Sequence, residues 1–228
     1  MKSLAIIPAR GGSKRIPRKN IKEFMGRPII AYSIEAAINS GLFDEVMVST
    51  DDLEIAQIAR ECGAKVPFLR SAATSNDYAT TADVLVEVIN EYAVRGEHFD
   101  TFCCLYPTAP FVTSERLQEA LKMITGDVES VFTAVRYSYP VQRSLRIIDG
   151  RVSMVAPQYL NSRSQDLEPI YHDAGQFYMA KTQRYMEDKT FWGEHCAAVI
   201  LSELEVQDLD TETDWKLAVL KYKLIHNL

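Results

Sequence analysis

Long apolar runs, paired cysteines and a positive charge balance are all missing from this chain of 228 residues. No stretch approaches the ~18 apolar residues of a membrane-spanning helix, so none is expected. The first residues lack an apolar core followed by a small-residue cleavage site, and Ala5–Pro8 reads as a strand rather than part of a secretion signal. The four cysteines, Cys62, Cys103, Cys104 and Cys196, show no C-x-x-C spacing. Cys103 and Cys104 sit in an apolar run and read as buried thiols, and the set suits a reducing cytoplasm. A net charge of −6 leaves no broad basic surface of the kind nucleic acids need. No internal repeat, low-complexity tract or linker interrupts the chain. Its 47% hydrophobic and 25% charged residues are ordinary for one domain with a full core.

What is present starts at Leu4. Leu4–Ile7 is a short apolar run, the mark of a strand buried on both faces. Pro8 ends it, and Ala9-Arg10-Gly11-Gly12-Ser13 follows as a loop of small residues. Two adjacent glycines are expected to allow positive φ and a close backbone approach, with amide N–H groups facing phosphate oxygens. Arg10, Lys14, Arg15, Arg18 and Lys19 crowd five cations into ten residues of an acidic protein. A polyanion such as a triphosphate explains that density; a solvated basic turn is the alternative. Neither G-x-x-x-x-G-K-[ST] nor G-x-G-x-x-G occurs here, so the loop is not one of the two common phosphate loops.

Beyond the loop, apolar spacing predicts helices over Pro28–Ser40, Leu53–Cys62, Thr80–Tyr92, Ser114–Ile124 and Glu212–Ile225. Gly41 and Gly63 end the first two, and Thr113 or Ser114 caps the fourth. Strands are expected at Glu45–Thr50, Lys65–Leu69, Phe99–Leu105, Ser130–Val135, Gln176–Met179 and Ala197–Leu201. The repeated strand–helix order implies an α/β fold with a mainly parallel sheet and helices on both faces, and ligands at the carboxyl ends of the strands. The rhythm fails from Tyr137 to about Gln176, where IIDGRV (Ile147–Val152) reads as a hairpin turning at Asp149-Gly150. This excursion is expected to cover the substrate and meet a second subunit. In QDLDTETD, alternation sets Asp208 and Asp210 on one side with Leu209 on the other. Two such carboxylates suit Mg²⁺, and equally suit the acidic start of a helix.

IPARGGSKRIPRKN resembles the signature loop of the sugar-activating cytidylyltransferases, which make CMP-sialic acid and related CMP-linked sugars. The resemblance runs from Ile6 to Trp215, and RSQDLEPIYHDAGQFY is similar to the pseudaminic-acid branch of that family. It implies a single Rossmann-like, three-layer nucleotidyltransferase domain over 1–228, cytoplasmic and homodimeric, with the excursion at about 137–176 covering the sugar site. The implied reaction joins CTP and pseudaminic acid to give CMP-pseudaminic acid and pyrophosphate, with Mg²⁺ on Asp208 and Asp210. Sialic, legionaminic and Kdo acids are the alternative substrates. A nicotinamide-dependent oxidoreductase is a further alternative, opposed by the missing glycine fingerprint.

Carried over by position, Arg10, Lys14, Asp208 and Asp210 are the implied catalytic residues. Arg10, Gly11, Gly12, Ser13, Lys14, Lys19 and Asn20 match the loop that holds the nucleotide, and Arg70, Ala79 and Thr81 match the segment that reads cytosine and ribose. Helix capping is an alternative role for Thr80-Thr81, and a loop cap for Asp51-Asp52. Tyr106, Gln142, Arg143, Arg163, His172 and Asp173 are implied on the sugar side, with Arg143 or Arg163 meeting the sugar carboxylate. The sialate pattern is broken at Tyr106 (glutamine in the family's L-Q-P-T-S-P phrase), at His172 (arginine) and at Ala174 (asparagine). A pocket short of those polar groups suits a deoxygenated, methyl-ended sugar.

Overall fold

A computed structural model describes all 228 residues. In chain order it runs β1 (Ser3–Pro8), the hairpin β2 (Glu23–Phe24) and β3 (Arg27–Pro28), α1 (Ile30–Ser40), β4 (Glu45–Ser49), α2 (Leu53–Glu61), the single turn α3 (Ala72–Ser75), α4 (Thr81–Val94) and β5 (Thr101–Leu105). It continues with α5 (Ser114–Met123), β6 (Ser130–Arg136), the hairpin β7 (Leu145–Ile148) and β8 (Arg151–Met154), β9 (Tyr171–Lys181), α6 (Thr182–Asp188), β10 (Cys196–Leu201) and α7 (Glu212–His226).

Six strands form one sheet in the order β10-β6-β9-β5-β1-β4, parallel except at β9, which runs antiparallel to both β5 and β6. Side-chain alternation along these strands makes two cores. Ala5, Ile7, Val48 and Leu105 face Ile34 of α1, Ile55 of α2 and Leu117 of α5. Leu4, Ile6, Phe102 and Cys104 face Leu85 and Val88 of α4, with Tyr185 of α6. The result is the expected three-layer arrangement, with the central strands β1 and β5 apolar because both of their faces are covered. A third, smaller core joins Ile16 of the basic loop, Phe24, Leu209 and Trp215, pinning α7 beside the loop. No helix is long and apolar enough to cross a membrane.

Three elements differ from expectation. Lys65–Leu69 is no strand; Lys65 alone bridges Met47 beside β4. Pro67 has no N–H to donate, so the ladder cannot continue. β9 begins at Tyr171, five residues before the expected Gln176. Its polar opening, Tyr171-His172-Asp173, pairs only with β6, because β5 contributes no partner before Phe177. The β2–β3 hairpin was not expected, since two-residue strands carry no periodicity; its turn places Met25 at φ 50° and Gly26 at φ 86°. The same turn geometry recurs at Asp149-Gly150, φ 48° and 75°, where the sequence does announce it.

Candidate active site

The basic loop is organised by contacts far away in sequence. Ile16 is fully buried, and the buried Asn20 donates from Nδ2 to the Arg10 carbonyl at 2.9 Å. Neither Gly11 nor Gly12 adopts positive φ, contrary to expectation; Arg18 does, at 55°. Gly11 is required for closeness instead. A Cβ there would lie 2.6 Å from Asp52 Oδ2, and its N–H donates to Asp51 Oδ1 at 3.0 Å. That amide is therefore turned to a carboxylate in the free protein, not outward. Gly12 has open space around a Cβ and shows no such constraint.

Each of the five cations finds an acid or a carbonyl. Arg10 donates to Asp77 Oδ1 at 3.0 Å, and Lys14 binds the other oxygen of the same carboxylate. Those two contacts, Lys14 first, hold the Asp77 carboxyl below its usual range. Arg15 pairs with Asp210, and Lys19 donates to the Leu209 carbonyl at 2.7 Å. Burial lowers the Lys19 pKa even with Asp210 and Asp208 close by. Arg18 grips Asp52 with both guanidinium nitrogens and reaches Glu54. Asp52 also caps α2, accepting from the Glu54 and Ile55 amides at 2.9 and 3.0 Å. The Arg18 contact foremost pushes the Asp52 pKa down to about 2. Asp52 is thus a cap and loop clamp.

The neighbouring strand ends supply the floor of a cleft of about 850 Å³. After β5, Tyr106 places its hydroxyl 3.3 Å from Thr81 Oγ1, and burial raises its pKa. Thr80, through a reciprocal box with Asp83, caps α4, which leaves the Thr81 side chain to the cleft. Between β6 and β9 a wide bulge sets Thr133 opposite the four residues Ala174–Phe177, with Gly175 at φ 62°. The bulge turns Asp173 and Ala174 into the cleft. Asp173 accepts the Gly175 N–H at 2.8 Å and the Tyr178 hydroxyl. Burial, then that carboxylate, drives the Tyr178 pKa far up. His172 donates from Nδ1 to the Asp173 carbonyl at 2.9 Å, its ring 4.6 Å from that of Tyr137.

Leu209 is buried, as alternation required, with Asp208 lining the cleft on one side. The helix-start alternative for this pair is answered by Thr211, which caps α7 in a reciprocal box with Asp214. Neither Asp208 nor Asp210 caps with its carboxylate; the Asp210 carboxylate meets Arg15 and lies 3.9 Å from Lys19 Nζ. No three histidine, cysteine or acidic side chains converge as a metal cage.

The cleft therefore gathers Arg10, Lys19, Thr81, Tyr106, His172, Asp173 and Asp208. Other expected residues lie elsewhere. Arg70 is buried against the carboxyl end of β4, donating to Ser49 O at 2.6 Å and to Ser49 Oγ at 3.1 Å, and burial lowers its pKa. Ala79 donates its amide to Asn76 Oδ1 at 3.0 Å and does not line the cleft. Gln142, Arg143 and Arg163 do not line the cleft of their own chain and stay on the excursion. Gln142 donates to Glu168 O at 2.8 Å, Arg143 meets Ser164 Oγ at 3.5 Å, and Arg163 pairs with Asp166 at 2.7 Å. Arg136, Gln176, Gln207 and Lys221 line the cleft without having been expected. Arg136 was findable, as the residue that closes an apolar strand at its carboxyl end. Lys221 was not, because a helix brings it back from the far end of the chain.

This geometry, a basic loop after the first strand facing a cleft at the carboxyl edge of a mixed sheet, has close counterparts. A family model described as cytidylyltransferase matches residues 4–190. The chain is 43% identical over 228 residues to the pseudaminic acid cytidylyltransferase of Campylobacter jejuni, covering 99% of this chain and 98% of that one. It is 34% identical over 224 residues to the CMP-N,N'-diacetyllegionaminic acid synthase of Legionella pneumophila, covering 95% and 94%. Among solved structures, a CMP:2-keto-3-deoxy-manno-octonic acid synthetase complexed with CTP superimposes with a TM-score of 0.71 at 18% identity over the full length of both chains, a likeness of fold. Loop, sheet and full-length sequence similarity agree, and the chain belongs to the cytidylyltransferase family.

Proposed function

We propose that this protein transfers CMP from CTP to pseudaminic acid, releasing pyrophosphate. The observation that carries the reading is 43% identity, end to end, with a pseudaminic acid cytidylyltransferase. The anomeric hydroxyl attacks the α-phosphorus in line, and catalysis is positioning plus charge offset with no covalent intermediate. Arg10 and Lys14 exchange the Asp77 carboxylate for phosphate oxygens, a swap of one anion for another that keeps both cations in place. Lys19 and Asn20 hold the loop in shape. Tyr106, Thr81 and Asp173 read the nucleoside and sugar by hydrogen bonding.

The donor set suits magnesium. Asp208 has a carboxylate with no side-chain partner, and Asp210 becomes available when Arg15 yields to phosphate. Two hard carboxylate oxygens plus phosphates match the usual magnesium requirement. Mg²⁺ bound there would supply charge offset at the transferring phosphoryl group.

The excursion supports a homodimer. Its hairpin exposes Leu145 (60%), Ile147 (68%) and Val152 (61%), a density of apolar surface suited to contact with a second copy. In such a dimer Gln142, Arg143 and Arg163 approach the sugar site of the partner. Four unpaired cysteines, two of them buried, suit a reducing cytoplasm. The test of the activity is CTP consumption against a panel of 2-keto sugar acids with Mg²⁺. Pseudaminic acid should react fastest. Combining His172→Arg with Ala174→Asn should narrow its lead over sialic acid, and equal rates for both in the unaltered protein would overturn the choice of sugar.

A further inference from the structure

On the proposed reading the second substrate is an anion, and its carboxylate needs a cation inside the cleft. Four permanent cations line that cleft: Arg10, Lys19, Arg136 and Lys221. Arg10 is held by Asp77, and Lys19 by the Leu209 carbonyl. Lys221 donates to the carbonyls of Glu203 and Val206 at 2.9 and 2.6 Å, tying that turn to α7. Arg136 alone is exposed and has neither an acidic nor a carbonyl partner.

Its position is also distinct. The basic loop follows β1 and Arg136 ends β6, three strands away across β5 and β9. At ~4.8 Å per strand the two ends of the cleft are about 14 Å apart, room for phosphates at one end and a second anion at the other. Arg136 also lines a smaller adjoining cavity of about 230 Å³, walled by the excursion residues Ser164, Gln165 and Glu168. In the β6–β9 register Ala134 opposes Asp173 and Arg136 opposes Tyr171. Arg136 is thus the diagonal neighbour of Asp173 on one face, a separation of ~7–8 Å. They form no ion pair; the Asp173 carboxylate accepts from the Gly175 amide and the Tyr178 hydroxyl instead. The fork of Arg136 is left open, and a guanidinium binds a carboxylate through two parallel hydrogen bonds.

We propose that Arg136 holds the carboxylate of the 2-keto sugar acid, and so selects an acid over a neutral sugar. The inference rests on the activity proposed above. The test compares unaltered protein, Arg136→Gln and Arg136→Lys with pseudaminic acid and with its methyl ester. Arg136→Gln should raise KM for the acid about ten- to a hundredfold and leave KM for CTP unchanged. Its preference for acid over ester should collapse toward parity, while Arg136→Lys, which keeps charge but not the fork, should retain part of it. An unchanged KM for the acid, an equal rise in KM for CTP, or an intact acid-to-ester ratio in Arg136→Gln would overturn the assignment. An unaltered protein that consumes CTP with no 2-keto sugar acid would instead remove the proposed activity, and this inference with it.

Discussion

The basic loop and the excursion are both polar, irregular segments, and they are built in opposite ways. Every cation of the loop is held from a distance: Asp77 lies 63 residues from Lys14, and Asp210 lies 195 from Arg15. The excursion holds itself with near neighbours, such as Arg163 with Asp166, and leaves its apolar side chains in solvent. The loop is finished within one chain, and what binds it must compete with acids already in place. The excursion is unfinished within one chain. A charged segment can be pre-organised by its own fold, whereas an exposed apolar one needs something further to cover it.

The largest effect should come from the acids that the loop meets at the end of the chain. Asp208→Asn and Asp210→Asn each keep shape and remove a charge, and each should remove most turnover while far-ultraviolet circular dichroism stays native. Near-normal turnover for both at limiting Mg²⁺ would break the assignment of that pair. Next in size are Arg10→Ala and Lys14→Ala. Losing one charge-assisted contact is worth about 1.5–3 kcal/mol, or about ten- to a hundredfold in kcat/KM. CTP handling should suffer more than sugar affinity. The reverse result would mean that the loop serves the other substrate.

The excursion makes a different forecast. Ile147→Asp combined with Val152→Asp should shift the proposed dimer to monomer in analytical ultracentrifugation, with CTP binding retained. An unaltered protein that is monomeric and fully active at high concentration would end the contrast drawn above.

The smallest effect belongs to Asp52. Asp52→Asn weakens a cap and an ion pair, and should cost about 1 kcal/mol, a few degrees in Tm. Its folded pKa, about 2, lies below the ordinary 3.8, so the carboxylate stabilises the fold above about pH 4 and loses that contribution as pH falls toward 2. Acid denaturation of Asp52→Asn should therefore lack part of the steepness that the unaltered protein shows over that interval.

Helix and strand periods, the glycine stops at Gly41 and Gly63, the Asp149-Gly150 turn and the alternation around Leu209 are short-range facts, and all were readable from residue order. The arrangement of the sheet was not. An antiparallel β9 inserted between two parallel strands depends on which edges remain open, and no local pattern records that. The bulge opposite Thr133, which turns Asp173 and Ala174 into the cleft, exists only once β9 is paired with β6. Sequence order also placed Arg143 and Arg163 among the sugar contacts, yet their own neighbours hold them on the excursion.

The run from Ile6 to Asn20 carried the family, the phosphate chemistry and the place of the first strand, because charge density and apolar runs are properties of adjacent residues. Folding alone assigned the partner of each charge. Asp77 closes over Arg10 and Lys14, Asp52 becomes a cap, Arg70 turns into the interior, and Arg136 is left open at the end of β6. An ion pair depends on distance in space, and only the packed sheet brings residues so far apart in the chain within a few ångströms.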